Sequence, residues 1–148
     1  FVLDAENLRV LRFSQDSRYL QSFGGLDAVR GRLVQPSKIV ISNDDRVYVA
    51  ESNRIVEFDY FGNFVKTFGD GVLKEVRSCE ATENAVIAVT RDTLFWFSKV
   101  GILTSRTPVR ALISSDPISD IQDVLIDRNL MYVLDSKRIC VFTLVAHP

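Results

Sequence analysis

Histidine is nearly absent from this chain: the only one is His147, next to the last residue. That removes the commonest general base and metal ligand from almost the whole sequence. Cysteine is scarce too. Cys79 and Cys140 are too few for a disulfide framework, and their spacing fits no metal-binding pattern. Both read as small buried apolar residues. No long apolar run occurs, so no helix spanning a membrane is expected, and no leader pattern is visible. Positive charge is not in excess: 18 Lys and Arg stand against 19 Asp and Glu, a net charge of -1. The basic footprint of a nucleic-acid binder is therefore missing. No segment sustains a helical period. No Ser–His–Asp set, P-loop or glycine-rich dinucleotide fingerprint is found.

What the sequence does contain is enough for one soluble domain over residues 1–148, with 47% apolar and 25% charged residues. It also contains a repeat. "NLRVLRFS", "SNRIVEFD", "RDTLFWFS" and "SKRICVFT" align. Val10, Ile55, Leu94 and Ile139 form one column, and Phe13, Phe58, Phe97 and Phe142 form another. The offsets are 45, 39 and 45 residues, a period of about 40–45 that suits a propeller blade. Arg9, Arg54 and Arg138 share a third column, broken by Thr93. Asp4, Glu51 and Asp135 share a fourth, broken by Thr90.

Within each unit, short runs rich in Val, Ile, Phe and Tyr alternate with turns of Asn, Asp and Gly. This is the pattern of an antiparallel meander. In the second unit, Gly62 and Asn63 are the residues suited to positive backbone angles. The blade segments read as 1–35, 36–74, 75–114 and 115–148. They hold three, four, four and three strands, 14 in all.

"QPSKIVIS" followed by "VYVAESNRIVEFDYFGNFVKTFG" resembles an NHL repeat, with its opening Pro, its "YVAD"-like strand, its "N-R-I" turn and its "G-x-F" turn. The third unit is degenerate, with Thr93 in place of Arg and Glu75 where Pro36 would align. The resemblance implies an all-β fold: a β-propeller of four-stranded blades, about three and a half of them here. A six-bladed ring would take about 110 further residues upstream. Five blades would also fit the strand count. Ring closure then comes from such blades or from another chain, since bare blade faces are apolar and need cover.

The Arg column (Arg9, Arg54, Arg138) reads as structural, each Arg paired with an acidic or carbonyl group. The four Phe residues read as structural repeat positions. Candidate partner contacts are Trp96, which shares a column with Arg12, Glu57 and Val141, and the long-connector residues Arg30, Arg32, Arg110 and Asp116. No catalytic, metal or cofactor-binding residue is assigned. On the inner strands, Glu80, Asp123 and Asp127 are the carboxylates.

The leading functional reading is a non-catalytic NHL-type scaffold for protein interaction, a subunit of a larger complex that binds no cofactor and no nucleic acid. The alternative is a metal-dependent lactonase- or lyase-type propeller enzyme, which would need inward-facing His, Glu or Asn. RNA binding, as in some animal NHL proteins, is the third reading. If the protein is bacterial, the resemblance leans toward an exported or periplasmic location.

Overall fold

The computed structural model describes residues 1–112, 118 and 120–145. Four separate antiparallel meanders follow one another along the chain. The first holds β1 (Val2–Asp4), β2 (Arg9–Phe13) and β3 (Tyr19–Phe23). The second holds β4 (Pro36–Ile41), β5 (Val47–Glu51), β6 (Arg54–Phe58) and β7 (Phe64–Phe68). The third holds β8 (Ser78–Ala81), β9 (Ala85–Val89), β10 (Thr93–Ser98) and β11 (Leu103–Pro108). The fourth holds β12 (Asp123–Asp127), β13 (Leu130–Leu134) and β14 (Ile139–Thr143). The expected strands are present, shortened at most ends. The inner strand of the third sheet is only four residues long. A single 3-10 turn, Val109–Ala111, follows β11.

The sheets stack face to face, and their two repeat columns explain how. Residues three apart on a strand point to opposite faces. Val10 of the first sheet and Phe58 of the second fall in one apolar cluster. Ile55 of the second and Phe97 of the third fall in the next. Leu94 of the third belongs to the last cluster, against which Phe142 of the fourth packs. At each of these three junctions the earlier sheet thus offers an aliphatic residue and the later sheet a Phe. Aromatic contacts extend the pattern. Phe23 lies 4.9 Å from Phe58 and Phe68 lies 6.1 Å from Phe97, between ring centroids.

A β-bulge recurs at one register position. It falls between Arg12 and Phe13, between Glu57 and Phe58, and between Trp96 and Phe97. The extra residue in each case sits on the outer strand: Leu20, Val65 and Thr104.

Turn chemistry differs from the sequence expectation at one point. Gly62 takes a positive φ of 81°, but Asn63 does not. Asn63 instead donates from its side chain and backbone to the Asp59 carboxylate. Gly62 is also required by space, because a Cβ there would come within 2.5 Å of the Phe23 ring.

Candidate functional site

The acid and arginine columns meet inside their own sheets. Asp4 accepts from Arg9 at 3.0 Å and Glu51 from Arg54 at 2.7 Å, while Asp135 lies 3.6 Å from Arg138. Glu51 is buried and does more. It accepts hydrogen bonds from the backbone N–H groups of Val34 and Gln35, and Arg54 donates to the carbonyl of Arg32. The pair therefore clamps the connector between the first two sheets. In the third sheet the hydroxyl of Thr90 donates to the carbonyl of Thr93 instead.

The inner strands converge on Asp123. One of its carboxylate oxygens accepts from the Lys38 ammonium and the other from the Ser78 hydroxyl, each at 2.5 Å. Burial works against the charged form of Asp123. The hydrogen bonds from Lys38 and Ser78 outweigh it and hold the carboxyl below its ordinary value. Glu80, two residues along β8 from Ser78, is buried, and burial pushes its carboxyl up.

Between the third and fourth sheets lies an open cleft of about 1080 Å³, lined among others by Glu80, Asn84, Trp96, Thr107, Arg128 and Met131. Trp96 is half-buried and faces the fourth sheet. Its column mates show why the cleft is open there. Arg12 of the first sheet lays its guanidinium 4.0 Å from the ring of Tyr60, in the β6–β7 turn of the second. Glu57 of the second sheet lies 3.7 Å from Lys66, and the Lys66 ammonium in turn donates to the carbonyl of Lys99, in the β10–β11 turn of the third. In the fourth sheet the described strands end at β14, and no outer strand or turn covers Trp96 in the same way.

The remaining candidates are dispersed. Arg30 is exposed, with its guanidinium 5.0 Å from the Phe64 ring, and it lines a smaller depression of about 480 Å³ with Asn7, Arg9 and Asp27. Arg32 and Arg110 are exposed, Arg110 on the 3-10 turn. Asp116 lies outside the described residues. Arg30 and Trp96 line different depressions, so the structure does not gather these residues into one site. Among the described residues, no three His, Cys, Asp or Glu side chains come together as a metal-binding group. Both cysteines are free, Cys79 buried and Cys140 half-buried. No helix among the described residues is long and apolar enough to cross a membrane.

The Lys38–Asp123 contact was not visible in the sequence. The two residues are 85 positions apart and neither belongs to a repeat column. Glu80 was visible as an inner-strand carboxylate, but its position in a cleft with Trp96 was not.

No protein-family model and no curated protein matches the sequence. Solved structures do match in fold. Hsv2 of Kluyvelomyces marxianus aligns with a TM-score of 0.53 and 14% identity, over 73% of this chain and 33% of that one. Myxococcus xanthus glutaminyl cyclase aligns with a TM-score of 0.61 and 10% identity, over 86% of this chain and 53% of that one. A streptogramin B lyase aligns with a TM-score of 0.58 and 10% identity, over 96% of this chain and 50% of that one. This chain thus spans about a third to a half of the length of these proteins. The fold is an all-β propeller arc, four-stranded in its two middle sheets and three-stranded in the first and last.

Proposed function

We propose that this chain is an NHL-type propeller segment that serves as a protein-interaction scaffold within a larger complex. One observation carries the reading: two acids at the inner strands and their connectors, Asp123 and Asp120, are spent on basic partners. Asp123 is neutralised by Lys38 and hydrogen-bonded by Ser78, and Asp120 is taken up by Arg77 at 2.7 Å. What is left facing solvent is a cleft with a half-buried Trp and exposed connector arginines, the materials of a binding surface rather than of a reaction centre. The candidate contacts are Trp96 in the cleft and Arg30, Arg32, Arg110 and Asp116 on the connectors. The NHL assignment rests on the motif in residues 35–69.

The test has two arms. Thermal melts of the chain with EDTA, and with added calcium or zinc, give the same midpoint if no metal is structural. A shift of several degrees counts against the scaffold reading. Crosslinking of the chain in its native complex then maps onto cleft and connector residues; crosslinks confined to other surfaces sink it.

An enzymatic reading keeps one specific support. Glu80 is a buried carboxyl with a raised pKa lining a roomy cleft, the environment of a general acid. Two of the fold neighbours are named as enzymes, a glutaminyl cyclase and a lyase. A turnover assay on cyclisation or elimination substrates, comparing the chain with Glu80→Gln, tests it.

A further inference from the structure

One residue pair on the connector between the second and third sheets is chemically unlike the rest of the chain. Asp70–Gly71 is the only Asp–Gly pair in the sequence, and no Asn–Gly pair occurs. Both residues are exposed. They sit in a tight turn: Gly69 and Gly71 take positive φ of 78° and 74°, and the Gly69 carbonyl accepts from the N–H groups of Val72 and Leu73. The Gly71 N–H itself has no acceptor among the described residues. Nothing lies within 4 Å of where a Gly71 Cβ would stand, and Gly71 has no side chain of its own to crowd its nitrogen. The Thr67 hydroxyl donates to Oδ2 of Asp70, while Oδ1 has no partner among the described residues, so the carboxyl is held at one oxygen alone.

We infer that Asp70–Gly71 is a site of spontaneous backbone isomerisation through a succinimide, and that the product loosens the junction between the second and third sheets. The amide and the carboxyl belong to neighbouring residues, so the reaction is intramolecular and gains from proximity. The Gly71 nitrogen attacks Cγ of the protonated Asp70 carboxyl. A C–N bond forms, the C–OH bond breaks, and the hydroxyl leaves with the amide proton as water. The five-membered imide then takes up water at either carbonyl. Cleavage at the side-chain carbonyl restores Asp70. Cleavage at the backbone carbonyl leaves isoaspartate, of unchanged mass, with the chain running through the side-chain carbonyl. Isoaspartate adds a methylene carbon to the main chain inside the turn that the Gly69 carbonyl closes. Leu73 cannot then keep its place. It is 2% exposed in the cluster that joins the two sheets, and a Cβ on Gly69 would come within 2.2 Å of it, so the turn has no slack. The inference goes beyond the scaffold reading and requires no partner.

Ageing the folded protein at physiological temperature, in water enriched in heavy oxygen, tests the proposal. Peptide mapping by mass spectrometry is expected to find isoaspartate and the label at Asp70, faster than at any other Asp of the chain. Asp70→Glu, which would need a six-membered ring, abolishes the reaction at this position. Asp70→Asn, which loses ammonia more readily than the acid loses water, speeds it. The isomerised fraction, separated by ion exchange, is expected to melt about 2–4 °C below fresh protein, and Asp70→Glu aged in parallel shows no such loss. Labelling at Asp70 no faster than at the other Asp residues overturns the site. A fraction that carries isoaspartate there and melts like fresh protein overturns the link to the junction.

Discussion

The Lys38 ammonium meets the Asp123 carboxylate at 2.5 Å, tying the inner strand of the second sheet to that of the fourth past the third. Both side chains are about a third exposed, so water weakens the pair without abolishing it. Asp123→Asn is expected to lower stability by roughly 1–2 kcal/mol, read from urea denaturation. The folded pKa of Asp123 is depressed, so its contribution is present above the unfolded value of about 3.9 and is lost as pH falls through the folded value. The wild-type chain should therefore lose stability below about pH 4 more steeply than the Asn variant. Equal slopes would show that the contact is not maintained in solution.

Glu57 has the opposite sign. It is buried, and burial raises its pKa against the pull of Lys66 and Arg46. A carboxyl with a raised folded pKa favours the protonated form, so stability falls as pH rises from the unfolded value through the folded one. Glu57→Gln should remove that slope and be neutral or stabilising at pH 7, by up to about 1 kcal/mol. Marked destabilisation by Gln at neutral pH would mean that the charged form is the one the junction uses.

Glu51 holds two connector N–H groups and Arg54 at once. Glu51→Ala leaves all three without their acceptor and should cost about 3 kcal/mol. Hydrogen exchange at Val34 and Gln35 should accelerate in that variant, ahead of global unfolding. Unchanged exchange there would disprove the clamp.

The Phe column should respond unevenly. Phe97→Ala empties a fully enclosed position and should cost about 3–5 kcal/mol at any protein concentration. Phe13→Ala, at a position 37% exposed, should cost less, about 1 kcal/mol. An equal loss at both positions would show that the two Phe residues are equally enclosed in solution.

Cys79 is fully buried, and its thiol is pushed up to about 12, first by burial and then by the charge of Glu80. A thiol reagent should modify Cys140 in the native chain and reach Cys79 only on unfolding. Modification of both at equal rates would show that the second and third sheets do not pack as described.

The strand plan was legible because an antiparallel meander writes its period in every unit: Val, Ile and Phe at alternate positions, with Asn, Asp or Gly between. That Val10 and Phe13 look in opposite directions also follows from their odd separation. Which neighbour each one faces does not follow, because alternation along a strand is blind to the direction of stacking. Glu51 and Arg54 are three residues apart and could be paired on sight. The connector they hold is 16–17 residues upstream of Glu51, and nothing local announces it. Asp123 was noted as an inner-strand carboxylate, but its lysine comes from two units away. Trp96 could not be interpreted from its own column, where Arg, Glu and Val do different things, because its surroundings depend on the next sheet's outer edge.

The recurring bulge bears on solubility. An unbroken outermost strand would present a straight ladder of free N–H and C=O groups to any passing chain, and extra residues such as Leu20, Val65 and Thr104 interrupt that ladder in three sheets. In the fourth, β14 forms the outer edge among the described residues, and its pairing with β13 runs in even register with no interruption. If this protein forms fibres or tangles when stressed, deleting Val65 to straighten β7 should speed their growth.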